Sequence, residues 1–185
     1  MKTLFTIPAF LSPDECQVLI AAAETRGFAA APITTSRGFV MAPDIRNNTR
    51  FMVDDLPLAS RLWSRLEPAL AEKAPVGAIG LNERFRYYRY ARREAFRWHR
   101  DGRFIRNERE ASALTFMIYL NEGFEGGDTE FDFPKHSVQP ETGMALVFEH
   151  QLYHQGAVVT RGTKYVLRSD IMYERRFGDS QGSAS

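Results

Sequence analysis

From residue 84 onward the chain is a series of short β-forming runs separated by turn residues, and this pattern narrows the fold more than any other feature. Residues 84–90 alternate Phe or Tyr with Arg. Residues 113–120 are rich in β-formers, residues 144–148 form an apolar run after a glycine, and residues 164–173 are long and β-leaning. Gly123, Gly126, Gly127, residues 140–143 and Gly162 punctuate them as turns. Ahead of this region the spacing predicts two helices. Ser12 can cap the first, Pro13 suits its first turn, Glu15 completes a capping box, Val18, Leu19, Ala22 and Ala23 recur at helical spacing, and Gly27 ends it. The second is expected from about Asp54 to about Lys73, with Leu58, Leu62, Trp63, Leu66 and Leu70 as its apolar face and Pro68 kinking or shortening it. Helices first and many short strands after them point to a mainly β chain with flanking helices (α+β), an antiparallel sandwich or jelly roll with the helices on one side.

At 185 residues the chain has the length of one domain and can bury a core without disulfides. The expected organisation is a single domain over 1–177, helical support over about 1–75, a jelly-roll core over about 80–177, and a disordered tail over 178–185. Cys16 is the sole cysteine, which excludes an internal disulfide framework and a cysteine-based zinc cluster and suits a reducing compartment. The first residues make a poor signal peptide and no run approaches the ~18 apolar residues of a membrane helix, so the expected location is the cytoplasm, with no membrane partner. Lys plus Arg number 24 against 23 Asp plus Glu, so net charge gives no reason to expect a polyanion. The charge is nevertheless local. Of the 24 basic residues 20 are Arg, and ten of these lie between Arg84 and Arg109.

Among the four histidines, His99 and Asp101 are two residues apart. On a strand that spacing sends imidazole and carboxylate to one face. A further histidine from elsewhere would complete a 2-His-1-carboxylate triad, which holds Fe(II) and leaves positions open. Alone, a surface ion pair or a structural histidine explains the motif as well.

The motif is not alone. The order Tyr90, His99-x-Asp101, Tyr119-Leu120, Gly126-Gly127-Asp128-Thr129, Gly143, Phe148, His154, Val159 and Gly162-x-Lys164 resembles the prolyl 4-hydroxylase-like branch of the Fe(II)/2-oxoglutarate dioxygenases, over roughly residues 85–173. The helical opening is similar too. The resemblance implies a double-stranded β-helix of the jelly-roll type, with His99, Asp101 and His154 as iron ligands and catalytic residues. It implies that Lys164, ten residues after His154, binds the distal carboxylate of 2-oxoglutarate, that Tyr90 bonds the same carboxylate, and that Thr115 supplies a third contact. Arg168, four after Lys164 on the same strand face, is the alternative anchor, or else meets substrate or pairs with Asp170.

Other polar residues carry two readings. His150 and His154 have the spacing of a helical zinc pair, but Gln151 stands where the general-base Glu is expected, so His150 is read as a loop residue near the pocket mouth. His136 reads as an exposed loop residue. Arg46, Asn48 and Arg50 would line one face of an early strand, either solvated or facing substrate. Arg100, Arg103, Arg106 and Arg109 recur every third residue after the metal strand, either as surface charge or as the lining of a channel for an anionic substrate.

The resemblance implies an iron- and 2-oxoglutarate-dependent hydroxylase that uses O2 and releases succinate and CO2, with ascorbate admissible as reductant. A prolyl residue of a protein or peptide is the nearest precedent, and a free amino acid or small metabolite is the alternative. The lack of a base-reading module argues against nucleic acid. From another class, a non-catalytic jelly-roll binding or sensor module stands as rival. Oligomeric state is not readable.

Overall fold

The computed structural model describes residues 2–35 and 38–174; the tail expected over 178–185 and the end of the expected 1–177 domain lie outside the described residues. In chain order the elements are β1 (Leu4–Ile7), α1 (Pro13–Arg26), β2 (Ala29–Ala30), β3 (Ile33–Thr35), β4 (Gly38–Val40), β5 (Thr49–Asp54) and α2 (Leu56–Leu70). There follow β6 (Ala78–Leu81), β7 (Arg84–Tyr90), β8 (Phe96–His99), β9 (Glu110–Tyr119), β10 (Glu125–Gly126) and β11 (Thr129–Phe131). The last are β12 (His136–Val138), β13 (Ala145–Glu149), β14 (His154–Gly156), β15 (Val159–Arg161) and β16 (Lys164–Glu174).

Local chemistry accounts for the helix ends. In α1 the Ser12 Oγ accepts from the Glu15 N–H at 3.2 Å and the Glu15 carboxylate accepts from the Ser12 N–H at 3.0 Å, a complete capping box. Gly27, at φ 78°, turns the chain out of the helix. Asp55 caps α2 by accepting from the Leu58 N–H at 2.8 Å. Pro68 falls in the last turn, and α2 ends at Leu70 rather than about Lys73.

A major sheet runs in the order β1-β13-β9-β16-β7-β5-β2, with β6 also on β16, and a minor sheet runs β12-β11-β14-β8. The architecture is the expected jelly roll with flanking helices. Strand alternation divides the apolar residues into two cores. Phe85, Leu114, Phe116, Ile118 and Leu167 face the helices and pack with Leu62 and Leu66 of α2 and Cys16 of α1. Tyr88, Tyr90, Tyr119, Phe148 and Val166 face inward, toward the minor sheet. Lys164, Val166, Arg168 and Asp170 therefore share the inner face of β16.

Two expectations need correction. The first 75 residues are not purely helical support: β1 and the β2–β5 pair extend both edges of the major sheet. These strands are short and lack sustained alternation, and only their partners reveal them. The strand expected over 113–120 begins at Glu110, because the far end of β16 extends the pairing as far as Glu174 opposite Glu110. Among the described residues no helix is long and apolar enough to cross a membrane.

Gly143 ties the N-terminal segment to the sheet. It adopts φ 79°, its carbonyl accepts from the Leu11 N–H at 3.0 Å, and a Cβ there would stand 2.0 Å from the Leu11 carbonyl oxygen. Gly143→Ala should cost about 2–4 kcal/mol, because both left-handed strain and the clash must be relieved. In a chain of this size that lowers Tm by roughly 5–15 °C. Gly102→Ala, where a Cβ meets nothing within 4 Å, should leave the melting curve in place. Equal melting temperatures for the two variants would refute this account.

Candidate active site

The minor sheet brings the two histidines together. His99 ends β8 and His154 opens β14, and the two residues are directly paired across the strands. Asp101 follows β8, and its N–H is held by the His150 carbonyl at 2.9 Å. One donor atom each from His99, Asp101 and His154 lies within 4.8 Å of the others. The imidazoles are pre-set. His99 Nδ1 lies 2.7 Å from the Arg97 carbonyl and His154 Nδ1 lies 2.8 Å from the Leu152 carbonyl, so each Nδ1–H donates there. Both Nε2 lone pairs are left facing Asp101, each 3.7 Å from one of its oxygens. Phe96 stacks on His99 with ring centroids 3.5 Å apart, and Phe148 packs edge-on against His154 at 4.6 Å.

Electrostatics favour the ligating forms. Burial alone would push Asp101 up, but the Arg168 guanidinium and the two imidazoles outweigh it and hold the carboxyl well below its usual range. Burial pushes His154 down to about 4, against the opposing pull of Asp101, so its imidazole is neutral at ordinary pH. Two imidazole nitrogens and a carboxylate on one side form a donor set that fits Fe(II).

Behind the cluster lies a small cavity of about 40 Å³, with Lys164 in its wall. Lys164 is 2% exposed and donates to the Gly127 carbonyl at 2.5 Å. No carboxylate pairs with it among the described residues. The rings of Tyr90 and Tyr119 flank its ammonium, each centroid 5.3 Å away, and the Tyr119 hydroxyl donates to Thr129 Oγ1 at 2.6 Å. Burial pushes Lys164 down to about 7, with Asp128 opposing. A buried ammonium short of an anion beside neutral phenols fits an incoming carboxylate.

The proposed anchors all line this cavity but differ in their partners. Lys164 and Tyr90, opposite each other in the β16–β7 register, share the cavity. Arg168 instead binds Asp101 Oδ1 at 2.8 Å and Asp170 Oδ1 at 3.3 Å. Thr115 lines the cavity as well. Its hydroxyl donates to Asp101 Oδ2 at 2.6 Å and is therefore committed to that carboxylate. His150 is not at a pocket mouth. It is 1% exposed behind the cluster, with Nδ1 2.9 Å from Thr115 Oγ1 and Nε2 2.8 Å from Ser112 Oγ. Because Thr115 donates to Asp101, it must accept from His150 Nδ1–H, and Ser112 then donates to Nε2. His136 is exposed as expected, but on the strand β12.

The early polar residues also divide. Arg46 and Arg50 line a cleft of about 640 Å³ on the open side of the cluster. Asn48, 1% exposed, accepts from Arg46 Nε at 2.8 Å and supports that side chain. The arginines at every third residue do not act together: Arg100 and Arg103 line the cleft, whereas Arg106 and Arg109 line a separate groove beside α2. Sequence reading named Tyr119, Thr129 and Gly127 only as parts of the ordered motif, and did not foresee the hydrogen bonds of His150. The alternation of β9 alone sends Thr115 and Tyr119 to the inner face, and Gly127, where a Cβ would lie 3.3 Å from Lys164 Cδ, read as a turn and as part of the ordered motif without a stated contact.

Comparison with known proteins places this geometry. No curated protein matches the chain in sequence. Solved structures do match in fold. A viral collagen prolyl hydroxylase from Paramecium bursaria Chlorella virus-1, in complex with 2-oxoglutarate, aligns at TM-score 0.66 and 23% identity over 93% of this chain and 97% of its own. A prolyl-4-hydroxylase from Pseudomonas putida aligns at 0.68 and 21% identity over 95% and 94%. A prolyl hydroxylase from Trichoplax adhaerens, in complex with a hypoxia inducible factor peptide fragment, aligns at 0.71 and 15% identity over 92% and 84%. Residues 85–169, which carry all three clustered ligand residues, match the family model of the 2OG-Fe(II) oxygenase superfamily.

Proposed function

We propose that the protein is an Fe(II)- and 2-oxoglutarate-dependent hydroxylase of an unactivated C–H bond, with a prolyl residue of a protein or peptide as the first substrate class to test. The observation that carries this reading is the pairing of a converged His99-Asp101-His154 donor set with a buried ammonium, Lys164, that has no carboxylate partner among the described residues. The match of residues 85–169 to the oxygenase family model and the fold shared with prolyl hydroxylases support it. Fe(II) with 2-oxoglutarate and O2 supplies, when bound, the oxidant for hydroxylation, with release of succinate and CO2.

The chain's own residues do the positioning. His99, Asp101 and His154 would hold the metal, their tautomers fixed by the Arg97 and Leu152 carbonyls. Lys164 would take the distal carboxylate, with Tyr90 and Tyr119 beside it. Phe131, Phe148 and Val166 keep water out of the inner end. Thr115 and Arg168 hold the Asp101 carboxylate so that it does not rotate away from the histidines. The same Arg168–Asp101 ion pair is what a non-catalytic module would retain, because it neutralises the carboxylate without a metal.

Anaerobic titration of the purified protein with Fe(II) and 2-oxoglutarate decides between the two. Visible absorption of the chelate should appear in the wild type and vanish in Asp101→Ala and His154→Ala, with the far-ultraviolet circular dichroism of the folded chain retained. No absorption in folded wild-type protein sinks the hydroxylase reading.

Thr115→Val should weaken metal binding about 10- to 100-fold, measured with Mn(II), because it removes the hydrogen bond that orients Asp101. An unchanged Mn(II) affinity would show that Arg168 alone suffices.

Lys164 gives a pH signature. Only its protonated form attracts the carboxylate, and it titrates near 7 in the empty cavity. Calorimetric affinity for 2-oxoglutarate should be full below pH 7 and fall about tenfold per unit above it. Lys164→Met should bind weakly at every pH. A strong loss in Arg168→Met with none in Lys164→Met would transfer the anchor to Arg168.

A further inference from the structure

The 640 Å³ cleft on the open side of the cluster includes His99 and Asp101 in its wall, so whatever fills it meets the proposed metal centre. Its charge is unbalanced. Three cleft arginines are matched by carboxylates: Arg84 by Asp54, Arg86 by Asp170, and Arg168 by Asp101. Arg46, Arg50, Arg100 and Arg103 have no ion-pair partner among the described residues. They come from separate walls: Arg46 precedes β5, Arg50 lies on it, and Arg100 and Arg103 follow β8.

Arg46 is the most telling. It is 5% exposed and lies over the rings of Tyr88 at 4.7 Å and Phe96 at 4.3 Å, and its Nη2 makes no hydrogen bond. A buried guanidinium held this rigidly with a free N–H calls for an anionic acceptor. Arg50 adds to the crowding. Burial and the neighbouring cations Arg46 and Arg86 lower its pKa, although Tyr88 opposes them, and an anion would relieve that strain.

The surroundings specify what carries the anion. Phe96, Trp98 and His99 of β8 line the cleft, while the outer edge of that strand is already paired with residues 45–47, through the Arg97 N–H to the Ile45 carbonyl at 2.7 Å and the Asn47 N–H to the Ala95 carbonyl at 3.3 Å. Apolar side chains alternate with the arginines: Phe39 is 72% exposed, Ile45 41% and Met52 40%. An open cleft with apolar contacts at intervals between cations suits the alternating side chains of an extended polypeptide, seated by its side chains rather than by main-chain pairing. A phosphodiester needs a row of cations continuing past the cleft. Here Arg89 is taken by Glu24 and Arg106 by Glu83 and Glu110, and the net charge is only +1. A small dicarboxylate would satisfy one or two guanidinium groups and leave the others unmatched.

We infer that the cleft selects an extended acidic polypeptide segment, laid through the cleft with its carboxylates on Arg46, Arg50, Arg100 and Arg103. This rests on the hydroxylase reading only for what happens to the segment once it is seated.

Fluorescence anisotropy on the full chain tests it, anaerobically with Fe(II) and 2-oxoglutarate present. The probes are three labelled nonapeptides centred on one proline and flanked by Asp and Glu, by Asn and Gln, or by Lys. A labelled oligothymidylate and unlabelled succinate as competitor complete the set. The acidic peptide should bind at least about tenfold tighter than the neutral one, the lysine peptide weakest, with the advantage shrinking as salt is added. The double variant Arg50→Gln, Arg103→Gln should collapse the ratio of acidic to neutral affinity toward one. Equal affinity for acidic and neutral peptides, or binding of neither, overturns the inference. So does tighter binding of oligothymidylate than of the acidic peptide, or full displacement of the peptide by equimolar succinate. Chelate absorption in the same samples keeps the two readings apart: chelate without peptide discrimination removes the acidic-segment inference alone, and discrimination without chelate removes the hydroxylase reading alone.

Discussion

The site depends on how the carboxylate of Asp101 is made tolerable inside the protein. A carboxylate 6% exposed is costly unless its charge is matched and its lone pairs are filled. Here Arg168 of β16 takes one oxygen and Thr115 of β9 the other, both from the major sheet, while His99 and His154 face it from the minor sheet. One side chain therefore joins the two layers, and each layer supplies part of the compensation. If the sheets separated, the charge would be left unmatched. The geometry of the proposed metal centre and the closure of the jelly roll are in this sense the same constraint.

From that point the interior is graded. Toward the closed end the groups become neutral and aromatic, ending at an ammonium with one backbone acceptor and two flanking rings. Toward the open end they become cationic and exposed. A metal centre between these regions has a place for a dicarboxylate on one side and a broad, positively charged approach on the other. The Ser112–His150–Thr115 chain adds stiffness behind Asp101, because each donor has one acceptor and no hydroxyl is free to turn away.

The arginines show how far composition misleads. Ten of them between Arg84 and Arg109 suggest a basic surface, yet Arg84, Arg86, Arg89 and Arg106 are each spent on a carboxylate. Regular spacing misleads too. Arg100 and Arg103 reach the cleft, but the chain turns before Arg106 and sends it with Arg109 to another face.

Much was legible in the linear order. Capping at Ser12 and Asp55 is local, and so is the period-2 alternation that sets the inner faces of β7, β9 and β16. The spacing of His99 and Asp101 is local as well, and the ordered motifs from Tyr90 to Lys164 carried the resemblance to the oxygenases. The short edge strands β1 and β2 were not legible, since so few residues show no period and only a neighbour's hydrogen bonds define them, and of β5 only an early strand around Arg46 to Arg50 was expected. Nor was the division of labour among Lys164, Arg168, Thr115 and His150. Those four are separated by up to 53 positions, and their roles follow from which carboxylate or hydroxyl the folded sheets set within 3 Å of each. Local patterns fix which way a side chain points. What it meets is fixed by strand pairing across the whole chain.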